Sequence, residues 1–350
     1  MADASLFDNH VVSGRFQIDG VLDEGFFSNV FAARDVTTGK PVAVKILKFS
    51  RKGFGNAEVE FQNESALLQR LSGSTNVVAL ISPYDDATVD VFPAGSSTPV
   101  SLPYVYFVLE LMEGRSLAEL LPVRGELSWV ARLDIFRDVV KGVQQMHRQH
   151  IYHRDLKASN VLLRPDRATF IAKVSDLGRS RDVRDPQVAP DAEYLFGRGD
   201  INHRPPECQL GAGGTSEHDF YRGDLYLLGS VLYELASGSP LTVTAFTRPL
   251  VRLAPPEGSL DPVRVYEWNI PQVRALYNDV FEEFDEELPP SIRRRCGRLL
   301  RQLCDADPTR RAHRTKRDRV ERNLDWLLNE IDILTRIITN STPSAAKVVA

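Results

Sequence analysis

The sequence predicts an α+β chain in two lobes, a β-rich N-lobe followed by an α-helical C-lobe. Three observations carry that reading. Segments at 16–22, 30–34 and 41–47 have the β-branched and apolar make-up of strands. The hydrophobic period then changes to three or four residues over 57–71. From Ser128 onward the recurring pattern is helical.

Phe16 to Leu22 reads as a strand entering a glycine turn, and Val30 to Arg34 as its return. Asp35 to Lys40 makes a polar turn before the apolar run Pro41-Val42-Ala43-Val44-Lys45-Ile46-Leu47. Phe61, Ala66, Leu67, Leu68 and Leu71 place a helix over 57–71. Residues 83–103, rich in Pro, Ser, Gly and Asp, read as a hairpin with a loop, and Tyr104 to Leu111 as a buried strand. Ser128 is the expected N-cap of a helix carrying Leu133, Phe136, Val140, Val143 and His147 on one face. Further helices are expected at 225–236, 291–304 and 318–338. In the last of these, Val320, Leu324, Leu327, Ile331, Leu334 and Ile338 alternate by four and three. That seam of about two and a half heptads fits a final helix lying on the C-lobe. The sharper alternative is a helix, 320–338, that forms a dimer or docks a partner.

Composition narrows the function classes. Apolar residues make up 43% and charged residues 26%, as in a soluble globular protein. A formal net charge of −4 offers no field for nucleic acid, and the basic runs at 293–295 and 314–319 read as solvated helix faces. No run approaches the ~18 apolar residues of a membrane span, and Met1 to His10 lacks the apolar core of a secretory leader. Cys208, Cys296 and Cys304 have no zinc-site spacing, and so sparse a set suits a cytoplasmic location.

Four segments carry chemistry. Lys45 closes a buried strand, where an ammonium is costly without a counter-charge. Glu64 on the next helix is the candidate partner; the plain alternative is a lysine reaching solvent at a strand end. The turn from Leu22 to Val30, with Gly25, can lay backbone N–H groups over a polyphosphate or be a simple hairpin. Tyr152-His153-Arg154-Asp155-Leu156-Lys157-Ala158-Ser159-Asn160 packs a carboxylate, an ammonium and a carboxamide together. Asp155 can take a proton from a hydroxyl nucleophile, Lys157 can neutralise a phosphate in transfer, and Asn160 can ligate a metal. Asp176-Leu177-Gly178 adds a second metal-facing carboxylate 21 residues beyond Asp155.

In this order the segments resemble the eukaryotic-type (Hanks-type) serine/threonine protein kinase family, over roughly residues 14–325. Val42-Ala43-Val44-Lys45, His153 to Asn160, Asp176-Leu177-Gly178, Pro205-Pro206-Glu207, Asp224 and Asp307-Pro308 with Arg311 all stand where that family has its motifs. The resemblance implies a kinase domain with an N-lobe at 14–112 and a C-lobe at 113–325. Residues 1–13 would be an N-terminal extension and 326–350 a C-terminal helix and tail. It implies ATP and Mg²⁺, and a protein substrate phosphorylated on serine or threonine, the preference marked by Lys157. Asp155, Lys157 and Asn160 would be catalytic, and Asn160 and Asp176 would hold the metal. Lys45, paired with Glu64, would hold the phosphates. Leu22, Gly25, Val30, Ala43, Glu110, Met112 and Leu162 would complete the ATP site, with Leu109 at the gatekeeper position. Asp224 would anchor the catalytic loop, and Arg311 would pair with Glu207.

The chain departs from the family at two places. Asp23, Gly25 and Ser28 stand where three glycines are usual, and Asp200 and His203 replace a threonine and an aromatic residue. Between Asp176 and Glu207 the hydroxyl side chains are Ser180 and Tyr194, amid Asp182, Asp185, Asp191, Glu193 and Asp200. A carboxylate of this segment can pair with Arg154 where a phosphate would otherwise do so, and Asp200 can meet Lys157. Two rival readings are a pseudokinase, favoured by the poor glycine turn, and a small-molecule kinase of the aminoglycoside or choline type. The latter generally lacks counterparts of Pro205-Pro206-Glu207 and Arg311.

Overall fold

The computed structural model describes residues 3–51, 56–92, 97–167, 169–185, 193, 195–197, 199–247, 261–313, 320 and 322–341. The chain forms two units. One comprises Met1–Glu113 with Asp176–Gly178, the other Gly114–Ser175 with Arg179–Ala350. The first is strand-rich and the second helical, the α+β arrangement expected.

The first unit is built on an antiparallel sheet of β1 (Val11–Val12), β2 (Phe16–Glu24), β3 (Ser28–Asp35), β4 (Pro41–Leu47), β5 (Leu80–Val91) and β6 (Val100–Glu110), in the order β1-β2-β3-β4-β6-β5. Side chains alternate across it. Val42, Val44 and Ile46 join Phe16, Ile18, Phe31, Tyr104 and Tyr106 in one buried cluster. Ala43 and Lys45 therefore share the opposite face. There α1 (Ala57–Arg70) sets Phe61 against Phe107, ring centroids 4.7 Å apart. Ala66, expected on the apolar face of α1, is exposed. The hairpin expected at 83–103 is mostly strand: β5 and β6 stay paired from Leu80↔Leu109 to Val91↔Val100. Register shifts between Leu80 and Asp85 absorb Pro83, which has no N–H to give.

The N-terminal residues, expected as an extension over 1–13, pack closely on the sheet: Ala4, Phe7 and Val12 are buried in its cluster. Phe7 meets Tyr104 edge-on at 4.9 Å, and the His10 ring hydrogen-bonds the Tyr104 hydroxyl at 2.8 Å. This segment covers a sheet face that would otherwise be exposed.

The second unit contains α2 (Leu117–Leu120), α3 (Trp129–Arg148), α4 (Pro206–Gln209), α5 (Glu217–Ser237), α6 (Leu241–Phe246), α7 (Pro262–Glu287), α8 (Pro290–Leu303) and α9 (Asp325–Ser341). Ser128 does cap α3, its side chain accepting from the Ala131 N–H, and the five expected face residues are all buried. Two-stranded ladders pair β7 (Ile151–Tyr152) with β10 (Arg181–Asp182), and β8 (Val161–Asp166) with β9 (Thr169–Val174). Sequence reading missed α7, whose Tyr266, Val273, Tyr277, Val280, Phe281 and Phe284 are buried at helical spacing.

The C-terminal seam is occupied from within the chain. Leu327, Ile331, Leu334 and Ile338 are buried, and α9 packs on α3 and α8. Arg137–Asp332 (3.1 Å) and Arg295–Glu330 (2.8 Å) flank the contact. The helix starts later than expected, and residues just before it are tied to the rest of the unit: Arg322 pairs with Glu217 at 2.8 Å, and Arg148 Nη2 donates to Asn323 Oδ1 at 3.0 Å. The seam is thus core, as expected of a final helix lying on the C-lobe. The basic run at 314–319 and the tail at 342–350 lie outside the described residues. Leu334→Ala should cost about 2–5 kcal/mol in denaturant unfolding, with the sedimentation coefficient of the folded chain unchanged; a variant that keeps its stability but sediments more slowly would point to the dimer.

Candidate active site

Within the first unit, Lys45 lies at the end of β4 with its ammonium 2.7 and 2.8 Å from the two carboxylate oxygens of Glu64 and 3.3 Å from Asp176 Oδ1. Glu64 lies one helical turn from Phe61 and Leu68, so a carboxylate occupies the buried stripe of α1. That position is the signal for function: a charge there is expensive unless paired. Burial disfavours the Lys45 ammonium, but Asp176 and Glu64 together more than reverse this and hold its pKa above the ordinary lysine range. Two carboxylates on one ammonium leave a net negative charge. Asp176, half-exposed at 49%, is where that charge meets solvent. Its backbone is left-handed, φ +58°, which is uncommon outside glycine and typical of functional turns.

The expected ATP-site residues of this unit fall on the strands around Lys45. Val30 pairs with Lys45 across β3–β4, and Ala43 with Leu109 across β4–β6. Glu110 ends β6 with its carboxylate accepting the Ala79 N–H at 2.7 Å, and Met112 is buried beyond it. Leu22 is exposed before the β2–β3 turn. Gly25 sits in that turn, where an added Cβ would come 3.1 Å from the Ser28 carbonyl oxygen. Phe26, at the tip, is covered on one side by the Arg51 guanidinium, 4.0 Å from the ring centroid.

The second unit holds the loop from His153 to Asn160. Asp224 of α5 is fully buried and accepts the N–H groups of His153 and Arg154, both at 2.8 Å, and a hydrogen bond from His147 Nε2 at 2.8 Å. Burial would raise the Asp224 pKa; those hydrogen bonds hold it below the ordinary carboxylate range. His153 Nε2 donates to the Ser175 carbonyl at 3.1 Å, leaving Nδ1 to accept the Asp155 N–H at 3.3 Å. Arg154 is left-handed, φ +65°. Asn160 Nδ2 donates to the Asp155 carbonyl at 2.7 Å, fixing the amide beside the carboxylate. Leu162 follows on β8, bridged to Ser116.

Asp155 and Lys157 meet a second loop, 199–204. The Asp200 N–H donates to Asp155 Oδ1 at 2.7 Å. Lys157 Nζ is 3.7 Å from Asp155 Oδ2 and 3.1 Å from Asp200 Oδ2, so the Lys157–Asp200 pair is formed. Gly199 makes the approach possible: a Cβ there would lie 2.6 Å from the Arg154 carbonyl oxygen and 2.8 Å from Asp155 Oδ1. Arg204 holds the turn through the Gly199 carbonyl at 2.7 Å. Behind it Arg311, fully buried, grips Glu207 of α4 with two bonds of 2.6 Å, the pairing expected. Ser180 is buried and donates to the His153 carbonyl at 3.3 Å, and Arg154 reaches the Arg179 carbonyl and the Phe220 ring. Tyr194 and Asp191 lie outside the described residues. His147, expected only as a face residue of α3, serves Asp224 as well, and Glu234 has no signal in the sequence, because nothing local marks which residue of a long helix will face a loop.

Among the described residues no cluster of three or more His, Cys, Asp and Glu side chains could hold a metal alone. Within the first unit Asp176 offers a half-exposed carboxylate, and within the second Asn160 offers an amide; both carry hard oxygen donors of the kind Mg²⁺ prefers.

Comparison with known proteins agrees with this geometry. A family model described as "Protein kinase domain" matches residues 16–317. The "Probable serine/threonine-protein kinase PknB" of Corynebacterium glutamicum is 31% identical over 230 residues, covering 66% of this chain and 32% of that protein. The "Serine/threonine-protein kinase PrkC" of Bacillus subtilis is 27% identical over 227 residues, covering 65% of this chain and 31% of that protein. The matched part therefore spans about a third of the length of these curated relatives. With the family match over most of its length, and with Lys45–Glu64, Glu207–Arg311 and the Asp224-held loop all formed, the chain belongs to the Hanks-type protein kinase family.

Proposed function

We propose that this chain transfers the γ-phosphoryl group of ATP to serine or threonine hydroxyls of protein substrates, with Mg²⁺. The observation that carries the reading is the fixed Asp155 carboxylate, with Lys157 beside it and Asn160 tied to its carbonyl. Asp155 orients the hydroxyl and accepts its proton as the oxygen–phosphorus bond forms and ADP departs. Lys157 stabilises charge on the transferring group, and Lys45, held by Glu64, positions the α- and β-phosphates. Mg²⁺, when bound, neutralises phosphate charge; Asn160 and Asp176 would hold it. Leu22, Gly25, Val30, Ala43, Glu110, Met112 and Leu162 would line the nucleotide. Lys157 and the names of the relatives favour serine or threonine.

Among the described residues no helix is long and apolar enough to cross a membrane. A cytoplasmic setting suits the three cysteines, none of which forms a disulfide. One feature favours a pseudokinase, the β2–β3 turn with Asp23 and a single glycine at its centre; turnover decides between the two.

Asp155→Asn should reduce phosphoryl transfer by about 10²-fold or more while nucleotide affinity stays near wild type. Turnover and ATP binding measured separately would show it, and near-wild-type turnover would refute the role. Lys45→Met should remove the charge that balances Glu64 and Asp176 and lower turnover strongly in a folded protein. If circular dichroism instead finds the variant unfolded, Lys45 is structural. Activity should also not need a phosphate between Asp176 and Glu207, since Ser180 is buried and Lys157 already has Asp200. Phosphatase-treated enzyme and a Ser180→Ala, Tyr194→Phe double variant should both keep wild-type rates; loss in either would show that a phosphate is required.

A further inference from the structure

The loop of residues 199–204 brings charged groups of alternating sign into a line within the second unit. Asp155, Lys157, Asp200, His203 and Glu234 follow one another at 3.7, 3.1, 3.7 and 3.7 Å. His203 is the hinge of this line. Its Nδ1 faces Asp200 and its Nε2 faces Glu234 of α5, and its side chain is only 12% exposed. Glu234 Oε1 is buried and makes no hydrogen bond among the described residues. A buried carboxylate oxygen so placed is costly unless a cation stands beside it, and the imidazole is the group in that position.

We propose that His203, as an imidazolium, is a positioning residue for phosphoryl transfer. It shares the charge of Asp200 and so leaves Lys157 available to Asp155 and the transferring group. The proposal rests on the phosphotransferase reading above. The geometry is specific on one point: Lys157 Nζ and His203 Nδ1 approach the same oxygen, Asp200 Oδ2. Two cations on one oxygen compete for its charge. When His203 is charged, Asp200 is half satisfied and Lys157 remains shared with Asp155. When His203 is neutral, the full charge of Asp200 acts on Lys157, which already lies nearer to it, 3.1 Å against 3.7 Å. Lys157 is then drawn away from the chemistry, and Asp155 loses its neighbouring cation.

The groups facing His203 are Asp200 from its own loop, Glu234 from α5 and, through the shared oxygen, Lys157 from the catalytic loop. The adjacent Arg204 guanidinium is turned to the Gly199 carbonyl. Burial alone would lower the His203 pKa, but the two flanking carboxylates more than reverse that and raise it to about 9. The ring is therefore charged at neutral pH, and its contribution is lost as pH rises through about 9.

The test follows transfer of labelled phosphate from Mg-ATP to dephosphorylated casein and to the enzyme itself, with kcat and KM for ATP measured between pH 6.5 and 10.5. Wild-type kcat should hold through neutrality and fall through about pH 9 while KM for ATP stays flat. His203→Gln should lower kcat at pH 7.5 by about tenfold, leave KM for ATP unchanged and lose that alkaline limb. Asp200→Asn removes one of the two raising carboxylates and should move the limb to lower pH, which keeps the idea testable if His203→Gln does not fold. The His203 ring followed by NMR in the wild-type chain should titrate near 9; titration below 7 overturns the proposal. A His203→Gln profile superimposable on wild type also overturns it, with the kinase reading intact. No transfer by the wild-type chain at any pH overturns both.

Discussion

A carboxylate with no access to water must be surrounded by donors, and Asp224 organises the catalytic loop by meeting that demand. It lies on α5, the most thoroughly buried helix of the second unit, and receives two consecutive loop N–H groups together with the His147 ring. Two successive donors aimed at one carboxylate impose a tight path on the backbone, and Arg154 takes the left-handed conformation that this path requires. His153 is then inverted into the core against Ser175, and Asp155 emerges beside Asn160. The orientation of the candidate proton acceptor is thus set by a buried charge two helices away in sequence. Low dielectric makes such an anchor stiff, because any rearrangement would strand the charge.

The same economy governs the first unit. Glu64 occupies a core position of α1 that an apolar residue would fill at no electrostatic cost. Its presence is sustained by Lys45, and Lys45 in turn by Asp176. An odd number of charges remains, exposed to solvent at Asp176. In the second unit the line of charges runs on through Asp200 and His203 to Glu234, so its last carboxylate, still in excess, lies in the body of α5.

Some of the organisation is visible in one dimension and some is not. Lys45, Asp155, Asn160 and Asp176 are legible because each sits in a short segment whose neighbours define a strand or a tight turn. The Lys157–Asp200 contact could be named from the sequence because a carboxylate stands where the family has a hydroxyl. The C-terminal seam could not be resolved that way. Its four-three spacing is common to a coiled coil and to a helix buried on its own domain, and the difference lies in whether α3 and α8 offer a complementary groove. The packing of the N-terminal residues was illegible for a related reason: Ala4, Phe7 and Val12 are too scattered to show a period, yet they cover a face of the sheet.

By itself the sequence determined the α+β order of elements, the family, and the candidate catalytic groups, because propensity, period and motif are local properties. The tertiary structure decided which charges meet. Asp224 with His153, Glu207 with Arg311, and His203 with Glu234 join positions 71, 104 and 31 residues apart. Burial gives those pairs their strength, and burial is a property of the folded chain that no single segment carries.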